Sequence, residues 1–261
     1  MNEHTRDWLL ALLWGLDQLA NPRLSRALET AEAWEYRHRL RHSLRHLETQ
    51  GLVRREEHLT ELVWRLTDHG RIAALGGRNP EARWGRTWDG TWRMVLFDLP
   101  GHRHKLRKQL LRWLRQNSFG YLQNSVWIHP DPLQEVAATL EEFRDDVESF
   151  TIMESRCGAG YANDAIVRGA WDFKEINRRY AGYLEHYANR PPKLAPAATA
   201  PTLAARWLRE EGIAWRHAFD RDPLLPSVLL PSGYQGVRAW QARRRNLTAL
   251  ANQLHAFPST A

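Results

Sequence analysis

Trp92 to Pro130 reads WRMVLFDLPGHRHKLRKQLLRWLRQNSFGYLQNSVWIHP. The apolar run Met94 to Phe97, closed by Asp98, Leu99 and Pro100, predicts a buried strand. An amphipathic helix follows, with Leu106, Leu110 and Leu114 on one side and Lys105, Lys108, Arg112 and Arg115 on the other. Phe119 to Gln123 and Ser125 to Ile128 are two short apolar-aromatic runs pivoting at Asn124, which is a hairpin signal. After Pro132 the pattern predicts a second helix to about Asp145, then a strand from Ser149 to Ser155. Strand, helix, two strands, helix, strand is the ferredoxin-like βαββαβ order.

Working outward, the 261 residues suffice for several modules, and 43% hydrophobic residues with 13 tryptophans exclude a mainly disordered chain. No apolar run approaches the roughly 20 residues of a membrane helix. MNEHTRDWLL lacks the features of a secretory signal. The single cysteine, Cys157, excludes an internal disulfide framework, and a reducing cytoplasm is the expected location. The formal charge of +7 suggests an anionic partner. It is unevenly spread: residues 1–88 hold 14 Lys and Arg against 12 Asp and Glu, residues 89–190 hold 14 against 14, and residues 191–261 hold 9 against 4.

Before the central unit, Asp7 to Ala20 predicts a helix, a shorter one covers Leu24 to Glu29, and a third runs from about Ala31 to Gln50 with Gly51 as its C-cap. Between Tyr36 and Leu47 the third helix carries four arginines and three histidines and no acid. Arg37, Arg41 and Arg45 recur every four residues, as do His38, His42 and His46, away from the Leu40, Leu44, Leu47 stripe. Leu52 to Arg55 and Leu62 to Leu66 follow as two strands. Helices, a basic third helix and a hairpin form the order of a winged helix-turn-helix, whose third helix enters the major groove. Arg37, His38, Arg41, His42, Ser43 and Arg45 are therefore the expected contacts to double-stranded DNA, against the plainer reading of a solvated cationic face. Glu56, Glu57 and Glu61 argue against a strong wing contact with phosphate. The histidine row has metal-ligand spacing, but no carboxylate or cysteine completes a site.

Residues 78–91 read as a linker, and Trp84, Trp88 and Trp92 recur every four residues, to stack on bases or, in the favoured reading, to pin one domain against the next. Asp98, at a strand end beside His102 and His104, offers a second functional class, a metal-dependent nuclease. One carboxylate is thin for Mg²⁺. It would need a second copy of the chain or a partner such as Asp131, and the plainer role is to cap the following helix.

Asp172, with Glu175 three residues on, predicts an N-cap for a helix carrying Phe173, Ile176, Tyr180, Tyr183, Leu184 and Tyr187. RPPKLAPAATAPT, near 190–202, predicts an extended, mobile linker. Then come a helix from Leu203 to Glu211, an irregular stretch, and a basic helix from about Val237 to Phe257. Its Arg243-Arg244-Arg245 run is either a solvated face or an anion contact. No nucleotide-binding loop, metalloprotease motif or nucleophile elbow is present, so a binding protein is favoured over an enzyme, with no cofactor.

WRMVLFDLP (92–100), GYLQNSVWIHP (120–130), AWDFKEINRRYAGYLEHY (170–187) and DPLLPSVLLPSGYQG (222–236) resemble, in order, the motifs of the PaaX family, bacterial repressors of phenylacetate degradation and related regulators. The resemblance implies an α+β protein with a winged helix-turn-helix over residues 1–77, a ferredoxin-like domain over 92–157 and a helical C-terminal domain over 158–261. It further implies a homodimer on an operator, released by a small-molecule effector, an aryl-acetyl-CoA thioester in the best-known branch. The central domain is similar to the small CRISPR-associated endonuclease subunit, whose metal-binding Asp corresponds to Asp98. The chain departs from the best-known branch at REEGIAWRHAF (209–219).

Overall fold

The computed structural model describes residues 13, 42–58, 61–75, 77–98, 104–134, 139, 149–158, 162–194 and 200–256. In chain order the described elements are helix α1 (42–49), strands β1 (Val53–His58) and β2 (Glu61–Leu66), and helices α2 (Asp68–Ala74) and α3 (Pro80–Trp84). Next come β3 (Trp92–Asp98), α4 (His104–Gln116), β4 (Gly120–Gln123), β5 (Val126–His129) and β6 (Ser149–Ser155). Helices α5 (Asn163–Ala170), α6 (Phe173–Tyr187), α7 (Ala200–Phe219) and α8 (Gly236–Ala256) follow, with a short 3-10 turn (Ser227–Leu229) between the last two. The mixture of helix and sheet is that of an α+β protein. Among the described residues no helix is long and apolar enough to cross a membrane.

The chain divides into two compact units. Pro80–Asn177 and Arg221–Tyr234 form one, while Met1–Asn79, Arg178–Asp220 and Gln235–Ala261 form the other.

The first of these is built on the sheet β4-β5-β3-β6, antiparallel throughout. With α4 between β3 and β4, this strand order is that of the split βαβ arrangement. The predicted second helix lies outside the described residues, apart from the helical Thr139. Val95, Phe97 and Trp127 point to one face and bury there against Leu110, Leu114, Phe119 and Leu133. Asn124 has φ +46°, the left-handed conformation that a tight hairpin needs, and the register slips by one residue between Tyr121 and Gln123.

Gly120 pairs with Ile128, so it faces the opposite side of the sheet from Trp127. A Cβ there would come within 2.6 Å of the Trp171 ring and 2.8 Å of Ala170 Cβ. The absent side chain is what lets α5 and Trp171 lie on this second face. Trp84 is buried against Tyr234, Trp88 leans on Trp92, and Trp92 packs on Trp171 and donates its Nε1–H to Asn163 Oδ1 at 2.9 Å. Trp84 and Trp92 are buried and Trp88 is half-buried against Trp92, so the three tryptophans pack within this unit.

In the other unit, Tyr180, Tyr183 and Leu184 of α6 bury against Trp215 and Phe219 of α7 and Trp240 of α8. Helix α7 does not end at Glu211. It continues through Gly212 to Phe219, because Leu208, Glu211, Trp215, Ala218 and Phe219 form one buried helical stripe. The described start of the Pro/Ala run is anchored: Leu194 is buried, its N–H donates to Gln253 Oε1, and Gln253 Nε2 donates to Pro192 O.

Candidate nucleic-acid interface

Helix α1 closes at Gly51, which has φ +68°. Gly51 N–H donates to Glu48 O at 2.9 Å and Leu52 N–H to Leu47 O at 2.9 Å, the paired bonds of a Schellman cap, with Leu47 and Leu52 both buried. The chain then turns directly into the β1–β2 hairpin. Thr67 Oγ1 donates to Gly51 O and accepts from Gly70 N–H, so the start of α2 is tied to the end of α1. A Cβ on Gly70 would stand 1.8 Å from Leu52 O, which makes glycine obligatory at this contact.

Of the expected DNA contacts, Arg37, His38 and Arg41 lie outside the described residues. His42 and Arg45 are exposed on α1. Ser43 is buried, 8% exposed, on the side of Leu44 and Leu47. It is placed to support the helix, not to meet a base edge.

The hairpin carries cations that are already matched. Arg55 grips Glu48 of α1 with Nε to Oε1 at 3.0 Å and Nη2 to Oε2 at 2.7 Å, and its guanidinium lies over the Trp64 ring. The hydrogen bond from Arg55 holds the Glu48 carboxyl below the usual carboxylate range. Arg54 and Arg65 both pair with Glu56, at 2.6 and 3.0 Å. The hairpin is thus fastened to α1 and contributes little net positive field.

Asp98 is exposed at the end of β3, opposite Ser149. Among the described residues no group of three His, Cys, Asp or Glu is placed to hold a metal. The proposed partner within the chain is excluded by register. Arg93 pairs with His129 in the antiparallel β3–β5 ladder, so Asp131 lies beyond the start of β3 and Asp98 at its end. By that register Asp131 falls level with Thr91, seven residues or about 23 Å along the strand from Asp98. Asp131 is instead held by Arg86 at 2.7 Å and Arg83 at 3.4 Å. Nearby, Arg93 is buried and donates to Asp89 and Glu154, and its guanidinium holds the Asp89 carboxyl below its ordinary range.

One polar cluster was not legible in the sequence. Glu211 is completely buried, accepting from Tyr183 Oη at 2.7 Å and from Arg243 Nε at 2.9 Å, while Arg243 lies over the Trp215 ring. Burial, with the neighbouring Glu211 carboxylate, pushes the Tyr183 hydroxyl well above its ordinary pKa. Arg243 is therefore a core residue, and of the Arg243-Arg244-Arg245 run only Arg245 is exposed. The only signal was two charged residues, 32 apart, each on the apolar stripe of its own helix.

The comparisons with known proteins agree with this architecture. The family described as "PaaX protein central Cas2-like domain" matches residues 85–167, and "PaaX-like protein C-terminal domain" matches residues 171–259. A similar solved structure is that of the uncharacterized protein Rv0674 from Mycobacterium tuberculosis, 23% identical, with a TM-score of 0.59 over 96% of this chain and 97% of that chain. At that identity the likeness speaks to the fold alone. No curated protein matches. With both domains matched in order, and with the motifs at 92–100, 120–130, 170–187 and 222–236 within or across them, the chain belongs to the PaaX family.

Proposed function

We propose that the protein is a sequence-specific DNA-binding transcriptional regulator, not an enzyme. In this reading it is a cytoplasmic homodimeric repressor of a catabolic operon, released from its operator by a small-molecule effector of the aryl-acyl-CoA type. The observation that carries the reading is the ordered pair of PaaX domains over residues 85–259. A helix with His42 and Arg45 exposed, capped at Gly51 and running into a two-stranded hairpin, supports it.

Residues 1–77 are then a winged helix-turn-helix whose third helix lies in the major groove. Arg37, Arg41 and Arg45 would read guanine edges or position the helix on phosphates, with His38 and His42 beside them. Glu48 and Glu56 keep the hairpin arginines off the DNA, so sequence reading rests on the helix. Arg41→Ala should cost about 1–3 kcal/mol on the operator and much less on random duplex. Equal loss on both would mark Arg41 as a phosphate contact. In Mg²⁺ or Mn²⁺ the protein should leave DNA intact, whereas cleavage abolished by Asp98→Ala would replace this reading with a nuclease.

A further inference from the structure

The cations of α4 differ from the arginines of the hairpin and from those buried in the two units. Lys105, Lys108, Arg112 and Arg115 are all exposed, and no described ion pair involves any of them. By contrast Arg54, Arg55, Arg65, Arg86, Arg93 and Arg243 each pair with a carboxylate. At about 100° per residue the four α4 cations fall within an arc of about 80°, opposite the Leu106, Leu110, Leu114 stripe that holds the helix on the sheet. Lys105 to Arg115 spans about 15 Å at 1.5 Å per residue. The Arg115 guanidinium lies 5.6 Å from the buried Trp127 ring, which fixes the far end of the row. On this face Lys108, Leu111, Arg112, Arg115 and Gln116 line a hollow of about 350 Å³.

We propose that this face of α4 is a second DNA-binding surface, one that grips the phosphate backbone without reading sequence. The proposal rests on the DNA-binding reading above and extends it to the central domain. The occupant follows from charge and shape. About 15 Å of duplex axis carries roughly nine phosphate charges, so a straight row of four cations meets a matching linear polyanion. Arginine forks and lysine ammonium groups around a hollow floored by the half-buried Leu111 suit phosphate and sugar. The row holds no base-reading amide or acid on its exposed arc except Gln109 and Gln116, so register on the duplex is left to the N-terminal helix.

The test uses the full-length protein and two fluorescent duplexes, one carrying the site recovered by selection and one of shuffled sequence. Lys105, Lys108 and Arg112 are changed together to Gln, with Arg115 left in place because it covers Trp127. Loss of three phosphate contacts should lower the slope of log affinity against log salt by about 2.7 on both duplexes. Between 50 and 200 mM salt the wild-type advantage over the variant should therefore shrink about fortyfold. Arg112→Lys, which keeps the charge, should retain the wild-type slope. An unchanged slope in the triple variant overturns the proposal, whether or not its unfolding temperature falls. A fall in unfolding temperature alone would show that these cations pair within the chain. Failure of the wild-type protein to bind either duplex would instead bring down the DNA-binding reading itself.

Discussion

Helices α4 and α8 look alike in sequence, each an amphipathic helix studded with arginine, yet they hold their charge in opposite ways. In α8 the first arginine of the triplet, Arg243, turns into the core and meets Glu211, Tyr183 and the face of Trp215. In α4 the cations stand outward, opposite the buried leucines. A charged residue on the apolar stripe must find a partner inside, because burying an unpaired charge costs several kcal/mol. One on the opposite face is free for an external anion. The face a charge occupies therefore says more about its role than the net charge of its helix.

The comparison breaks most visibly if the buried pair is opened. Arg243→Ala leaves Glu211 charged and enclosed, and should destabilise the protein by about 3–5 kcal/mol in denaturant unfolding. The double change Arg243→Met with Glu211→Leu should recover most of that loss, since no charge then remains to be solvated. If the single variant unfolds like wild type, Arg243 is not a core residue. On α4, neutralising three cations should leave unfolding unchanged within about 0.5 kcal/mol, as is usual for surface substitutions.

A half-buried group that titrates sharpens the contrast further. His129 is half-buried by surface exposure, stacks on Phe119, and accepts the Asp131 N–H at Nδ1. Its surroundings push its pKa below the ordinary 6.5, with burial as the leading cause. The unfolded chain thus takes up the proton more readily than the native protein. The stability it contributes is present above about pH 6.5 and is lost as pH falls through the lower native value. Replacement by Asn, which keeps an acceptor near Nδ1, should flatten the fall in unfolding temperature as the pH drops below about 6.5. An unaltered pH profile would mean that other groups govern it.

The smallest effect belongs to the hairpin. Glu56→Gln releases Arg54 and Arg65 and should raise affinity for random duplex by about twofold, roughly 0.5 kcal/mol, while barely moving stability. No gain in affinity would place the hairpin away from the DNA.

What the sequence made legible was local. Gly51 as a C-cap, Asn124 at a hairpin and Asp172 accepting the Glu175 N–H each follow from residues within a few positions of one another. The four strands of the central sheet also follow, because each is a short apolar run bounded by its own turn signals. What was not legible was non-local. The β3–β5 register, which separates Asp98 from Asp131, depends on pairing across the sheet. The meeting of Glu211 with Arg243 depends on how two helices pack, and the first of them, expected to end at Glu211, runs on to Phe219. Ser43 looked like a surface contact only because its neighbours are basic. Arg37, His38 and Arg41, which carry most of the proposed recognition, lie outside the described residues.

The most direct measurement is selection of genomic fragments by the purified protein, repeated with Arg37, Arg41 and Arg45 all changed to Ala. The account predicts enrichment of one palindromic site, with half-sites one helical turn or a multiple apart, and its loss in the variant. Uniform, salt-sensitive retention of every fragment, the same for both proteins, would contradict it.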